Sequence, residues 1–280
     1  MDGLDIAAID GDVQAKLGRL RELLAGMDGV AVAFSAGVDS TFLLHVAHEA
    51  LGERAVAVTV RSPFVPPRER DAAAEFCSAR GIRHEFIDFA VLAEPHIAAN
   101  PPDRCYLCKR ALFMRIAEFA RANGLAEVVE VDNRDDEGDF RPGRRAIREL
   151  GIRSPLHEVG LTKVEIRALS RELGLPTWNK PSAACLASRF PYGDAITAAA
   201  LKRVDRAERW LLEAGLGLMQ VRVRVHGSVA RIEVPKDSIT ALAARAEEIV
   251  AAFKEFGYAY VTLDLFGYRM GSMNETLDNP

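Results

Sequence analysis

The chain has 280 residues, 49% of them hydrophobic, with 36 Lys and Arg against 40 Asp and Glu for a formal net charge of −4. That is enough apolar material for one large domain, or two unequal ones, around a real core. The mildly acidic balance excludes the broad basic surface of an RNA or DNA binder, and the absence of an apolar run of bilayer length excludes a membrane span. A soluble, cytoplasmic protein with no nucleic-acid or membrane partner is the expectation.

Residues 12–28 carry Leu17, Leu20, Leu24 and Met27 at helical spacing. "VAVAFS" (30–35) reads as a buried strand, 39–50 as a helix, and "AVAVTVRS" (55–62) as a second buried strand. Residues 66–81 open on Pro and close on Gly, the punctuation of a helix. "HEFID" (84–88) is a third strand, 107–123 a helix, and "EVVEVDN" (127–133) a fourth strand. Helix 162–173 starts with a capping box, Thr162 and Glu165. This alternation predicts an α/β fold with a doubly wound parallel sheet. Residues 174–193 break the pattern with prolines and glycines around Cys185, and loops of that length usually carry function. A smaller α/β unit follows: helix 197–215, strands 219–227 and 229–234, helix 237–255 and strand 260–268. The domain boundary is placed at 193, giving domains 1–193 and 194–280.

The first strand runs into "SAGVDS" (35–40) and then into a helix. Small residues there let backbone N–H groups approach an anion, and the helix N-terminus adds its dipole. Ser35, Ser40 and Thr41 supply hydroxyls. Neither the Lys-Ser/Thr of a Walker A loop nor a GxGxxG fingerprint is present. Arg61 and Ser62, ending the second strand, fall on the ligand edge of an open sheet.

Cys105 and Cys108 stand at metal-ligand spacing in "NPPDRCYLCKRALF", flanked by Arg104, Lys109 and Arg110, which favour thiolate. Cys185 has Lys180 and Arg189 nearby in sequence. Three thiolates without a fourth ligand suit a [4Fe–4S] cluster with one open iron. Zinc needs a fourth ligand, for which His84, His96 and His157 are candidates. Without metal, Cys185 alone is a candidate sulfur donor. Cys77, beside Phe76 in a helix, reads as core.

"SAGVDS" resembles the Ser-Gly-Gly-x-Asp-Ser of the PP-loop ATP pyrophosphatases, with Ala36 for the first Gly, a mild departure if that residue keeps φ negative. "FSAGVDSTFL", "RCYLCKRALF", "KPSAACLASRFPYG" and "LDLFGYRMGSMNE" together resemble the LarE family, ATP-dependent sulfur transferases that build the nickel-pincer nucleotide of lactate racemase. The likeness runs from about residue 12 to 276, with 136–151 and 154–176 also fitting. One departure is Val131-Asp132 where the family commonly has Gly-Thr.

The resemblance implies a PP-loop (adenine nucleotide alpha hydrolase-like) domain in which Ser35, Gly37, Asp39 and Ser40 bind ATP phosphates, Asp39 through or near Mg²⁺. The implied substrate is pyridinium-3,5-biscarboxylic acid mononucleotide. Its carboxylates are adenylated and converted to thiocarboxylates, with release of AMP and pyrophosphate. In one branch Cys185 gives up its own sulfur. In the other, Cys105, Cys108 and Cys185 hold a [4Fe–4S] cluster that carries the sulfide, and the presence of all three favours that branch; an external sulfur donor would then be needed. Arg189 is assigned to the activated carboxylate. In "QVRVRVH", Arg222 and Arg224 share one strand face with His226, joined by Arg231, Glu233 and Asp264. That face is either solvated with cross-strand ion pairs, or a clamp for the substrate phosphate near a contact between subunits of a homo-oligomer. A tRNA thiolase of the same superfamily, and a nucleotide-gated iron–sulfur or metal carrier without turnover, are the rival readings.

Overall fold

The computed structural model describes residues 10–138 and 142–276. In chain order the elements are α1 (Gly11–Ala25), β1 (Val30–Ala33), α2 (Val38–Leu51), β2 (Ala55–Arg61), α3 (Pro67–Ala79), β3 (His84–Asp88), α4 (Pro95–Ala98) and α5 (Arg104–Ala122). There follow β4 (Glu127–Val129), α6 (Pro142–Glu149), α7 (Pro155–Glu158), α8 (Lys163–Glu172), α9 (Ala198–Glu213), β5 (Arg222–His226), β6 (Val229–Glu233), α10 (Ile239–Ala243), α11 (Ala246–Glu255) and β7 (Tyr260–Leu263).

Two compact units result: residues 1–89 with 105–183, and residues 90–104 with 184–280. Residues 184–193, placed in the first domain by the sequence reading, cluster with the second. The reason is a set of polar ties to the 90–104 segment. Asn100 donates to the Pro191 carbonyl at 2.6 Å and accepts from Gly193 N at 2.8 Å, and Arg104 donates to the Ala187 carbonyl at 3.1 Å.

The first unit is built on a four-stranded parallel sheet of order β3-β2-β1-β4. Strands β1 and β2 are buried along nearly their whole length, as continuous apolar runs in a parallel sheet require. Leu17, Leu20 and Leu24 of α1, Phe42, Leu43 and Val46 of α2, and Ile166 and Leu169 of α8 fill one core with them. The chain moves outward through β2 and β3, then returns to pair β4 on the other side of β1. That reversal makes the carboxyl ends of β1 and β4 the switch point of the sheet, the place where open α/β sheets bind ligands.

The fourth strand is shorter than the predicted 127–133. Beyond Val129 the Glu130 carboxylate accepts the Asp132 N–H at 2.9 Å and turns the chain away from the sheet. Helix α8 has the predicted capping box, with Thr162 Oγ1 accepting Glu165 N at 3.3 Å and Glu165 Oε2 accepting Thr162 N at 2.8 Å. Helix α6 was not anticipated, and residues 139–141 of the 136–151 stretch lie outside the described residues.

The second unit has a three-stranded sheet of order β5-β6-β7, antiparallel then parallel. Val223, Val225 and Ile232 are buried on its apolar face. The predicted helix 237–255 is broken: Arg245 turns its guanidinium to the Ala214 carbonyl and stands between α10 and α11. Strand β7 stops at Leu263 because Asp264 Oδ1 accepts Phe266 N at 2.9 Å, an Asx turn. Among the described residues no helix is long and apolar enough to cross a membrane.

Candidate functional site

The turn after β1 sits at this switch point. Ser40, in the first turn of α2, is its hub: Ser40 Oγ accepts from Ser35 N at 3.3 Å and Gly37 N at 3.1 Å and lies 3.2 Å from Ser35 Oγ. Three of the four predicted phosphate-binding residues therefore converge on one hydroxyl, with backbone N–H groups aimed inward. Ala36 contradicts the expectation of negative φ. It is buried with φ +53°, in the left-handed region that costs an L-residue roughly 1–2 kcal/mol. The position where the family pattern has Gly requires the conformation that Gly supplies.

Asp39, the fourth, pairs through Oδ2 with Lys163 Nζ, while its Oδ1 is buried without a hydrogen-bond partner. A half-buried carboxylate with one unpartnered buried oxygen beside the 35–40 turn fits Mg²⁺, which is typically held by one or two carboxylates plus substrate phosphates. Lys163 is the first residue of α8, where a cation opposes the helix dipole. Two acceptors explain it there: Asp39 takes its ammonium and Asp135 Oδ2 its backbone N–H at 2.8 Å. Arg167, one turn on, is buried and held below its ordinary pKa by desolvation, with Asp39 opposing that shift.

Arg61 forms a bidentate pair with Asp88 at 2.8 and 2.9 Å on the exposed sheet edge and stacks on Phe86. Its expected role toward ATP thus competes with a partner across the strand. Ser62 is buried, and its hydroxyl accepts Phe64 N at 3.3 Å.

Helix α5 begins earlier than predicted, so Cys105 and Cys108 stand one turn apart on it, both half-buried, while Cys185 in the second unit is exposed. None of the four cysteines forms a disulfide. Among the described residues no group of three His, Cys, Asp or Glu side chains is gathered to hold a metal ion. Two of the cations expected to favour thiolate have other partners. Lys109 Nζ lies 3.4 Å from both Glu130 Oε2 and Asp132 Oδ1, and Arg104 bonds Asn100 Oδ1. Asp132, the second of the two residues that depart from the family pattern, also meets Arg144 Nε at 3.3 Å. Burial raises the Glu130 carboxyl pKa, with Lys109 opposing.

The polar face of the second unit is not solvated. Arg222, Arg224 and Glu233 are buried on it. Arg224 donates to Glu233 Oε2 at 2.7 Å, Ser272 Oγ at 3.0 Å and the Ser188 carbonyl at 2.9 Å. Arg231 pairs with Asp264 at 2.8 Å. Arg222 rests on the Tyr268 ring, and burial together with the neighbouring Arg189 pushes its pKa down to about 10. Arg189, expected at the activated carboxylate, is buried and grips Glu208 at 2.7 and 2.9 Å. Its remaining donor nitrogen holds the Ala184 and Cys185 carbonyls at 3.0 and 3.1 Å. Burial alone would lower Arg189 and raise Glu208; each charge more than offsets that for the other. Arg189 is placed to shape the Cys185 turn from inside.

A protein of Lactiplantibacillus plantarum named pyridinium-3,5-bisthiocarboxylic acid mononucleotide synthase is 38% identical over 255 residues, 91% of this chain and 92% of the relative. The chain belongs to the LarE family. An uncharacterised Synechocystis protein is 43% identical over 267 residues, 95% of this chain and 99% of its own length. A shorter match, 40% identity over 67 residues, or 24% of this chain and 30% of the relative, links it to a 7-cyano-7-deazaguanine synthase of Marinobacter nauticus. No family model matches the chain.

Within this LarE-family chain, sequence reasoning missed Lys163, Arg167 and Glu208. Lys163 had a readable signal, a lysine directly after an N-cap. Arg167 and Glu208 lie on amphipathic helices and look like solvent-facing charges until their partners are known.

Proposed function

We propose that the chain is an ATP-dependent sulfur transferase with a PP-loop fold, acting on the carboxylates of pyridinium-3,5-biscarboxylic acid mononucleotide. The carrying observation is the turn at residues 35–40, where inward N–H groups and the half-satisfied Asp39 meet Lys163 at the sheet's switch point. The name of the relative sharing 38% identity supports the substrate.

The 35–40 turn and Lys163 hold the ATP tail, and Asp39 would hold Mg²⁺, which draws charge from the phosphates. A substrate carboxylate oxygen attacks the α-phosphorus, the bond to the β-phosphate oxygen breaks, and pyrophosphate leaves. The acyl adenylate then has a good leaving group, AMP. Sulfur attacks the acyl carbon, AMP departs, and a thiocarboxylate results. Arg222, buried on the polar face of the second unit beside the Tyr268 ring, is assigned to the substrate phosphate.

The donor chemistry of Cys105, Cys108 and Cys185 fits a three-thiolate [4Fe–4S] cluster, which would supply a sulfide to the acyl carbon. A second reading is favoured by the exposure of Cys185. In it the Cys185 sulfur attacks, AMP leaves, and loss of the Cys185 α-proton breaks the Cβ–S bond to give thiocarboxylate and dehydroalanine. Anaerobic protein is assayed for pyrophosphate release with ATP and the dicarboxylate, for iron and acid-labile sulfide, and for the mass of the Cys185 peptide. Iron and sulfide lost in Cys185→Ala support the cluster. Loss of H₂S mass from Cys185 after turnover supports the sacrificial route. Absence of pyrophosphate release would leave only a carrier.

A further inference from the structure

Lys180 comes from the irregular segment after α8, five positions before Cys185 in the sequence. Its ammonium donates to the Ala36 carbonyl at 2.9 Å and to Glu69 Oε2 at 2.7 Å. The lysine does not arrive there by chance. Arg167 on α8 donates to the Trp178 carbonyl at 2.6 Å and to the Lys180 carbonyl at 2.9 Å, fixing the backbone that presents it.

The Ala36 carbonyl and the Gly37 N–H belong to one peptide unit. A trans peptide is planar, so its C=O and N–H point in opposite directions. Holding the carbonyl outward on Lys180 therefore aims the Gly37 N–H inward, where it meets Ser40 Oγ at 3.1 Å. Inward is also where an anion on this turn would lie. The same peptide follows a left-handed alanine, φ +53°, which unassisted chain leaves for the right-handed or extended region. An outside contact must keep it there, and Lys180 supplies one.

We propose that Lys180 is a positioning residue for the phosphate turn: it holds the 36–37 peptide so that the Gly37 N–H faces the bound phosphate, and so allows alanine at a position suited to glycine. The proposal rests on the reading of this turn as the site of the ATP tail. It separates two things a lysine can do. A charge attracting phosphate acts equally whatever residue 36 is. A clamp on a strained peptide matters most when residue 36 is alanine, and less when it is glycine.

A double-mutant cycle of Lys180→Met and Ala36→Gly in the full chain tests it, with binding of inorganic pyrophosphate in Mg²⁺ measured by calorimetry. The loss of Glu69's partner is common to both arms and cancels. Lys180→Met should weaken binding about tenfold in the parent chain and only about two- to threefold in the Ala36→Gly background, a coupling within the range seen for residues in contact. Equal weakening in both backgrounds, or none, overturns the proposal. Should the parent chain bind neither pyrophosphate nor ATP, the functional reading fails on its own account. The same cycle read by urea unfolding of the first unit then decides the clamp: a coupling of roughly threefold or more in the unfolding constant keeps it, and additivity removes it.

Discussion

Arg189→Met tests whether this arginine holds the Cys185 turn or waits for substrate. The side chain makes two bonds to Glu208, which is itself fully buried and accepts Val223 N at 2.9 Å. Removing the guanidinium takes two charged hydrogen bonds from a carboxylate in the interior, leaving it Val223 N and the more distant charge of Arg222, and takes one donor each from the Ala184 and Cys185 carbonyls, the latter keeping Ser188 N and Oγ. Breaking such a pair costs about 3–5 kcal/mol, roughly a hundred- to a few-thousand-fold in the unfolding equilibrium. The pair Arg189→Met/Glu208→Leu removes both charges and should recover most of that loss. Trp210, on the same helix as Glu208, reports unfolding of this unit in urea if Trp178 is replaced by Phe. The pH dependence adds a second readout. The Glu208 pKa lies below its ordinary value because Arg189 offsets burial. The stabilisation is therefore complete above the unfolded value near 4.5 and is lost as pH falls through the lowered one. Arg189→Met should flatten that acid limb. A single variant costing under about 1 kcal/mol, or a double variant as damaged as the single, would refute the internal role and return Arg189 to the substrate.

Iodoacetamide should alkylate exposed Cys185 in the native chain and spare Cys77, whose thiol burial pushes up to about 12; mass spectrometry showing equal labelling would contradict this. Thr162→Ala should destabilise the first unit by about 1 kcal/mol in urea unfolding, with Thr162→Ser close to neutral, because Thr162 Oγ1 caps α8. Burial holds the His84 imidazole below 6.5, so it is neutral in the fold, and Nε2 lies 2.8 Å from Thr59 Oγ1. Its contribution is full above pH 6.5 and lost as pH drops through the lowered value, and His84→Gln should reduce the fall in stability below pH 6.5.

The sheet was legible because its strands are short apolar runs separated by helices with readable caps. β3 has the bounds read from the sequence, His84–Asp88, and Thr162 and Glu165 mark α8 by themselves. The shape of the 35–40 turn was legible for the same reason: its residues are contiguous, and one strand-to-helix junction sets their geometry. What failed were inferences needing a partner from elsewhere. The φ of Ala36 is not written in its own neighbourhood, because the contact at its carbonyl comes from Lys180. Strand β4 ends early through Glu130 reaching Asp132, a side-chain choice that an apolar pattern does not display.

The arginines of the second unit show how much of a site depends on partners that a local pattern does not display. Alternation correctly put Arg222, Arg224 and Arg231 on one face, and an uncompensated row of positive charge invites a phosphate. The compensating acids come from other segments. Glu233 is paired across the strands with Arg222 by register yet bonds Arg224, and Asp264 comes from the end of β7. Glu208, on α9, pairs with Arg189. A buried arginine with a carboxylate in contact already has the anion it needs, and exchanging that for a ligand phosphate would strand the carboxylate. Arg224 and Arg189 are in that position. For Arg222, burial outweighs the nearby Glu208, and its pKa falls where that of Arg189 rises. Glu208 in turn feels the charge of Arg222, so Arg222→Gln and Arg224→Gln should both lower stability in urea unfolding, Arg224→Gln more because it also loses its bonds to Glu233, Ser272 and the Ser188 carbonyl; a larger loss for Arg222→Gln would contradict that ranking.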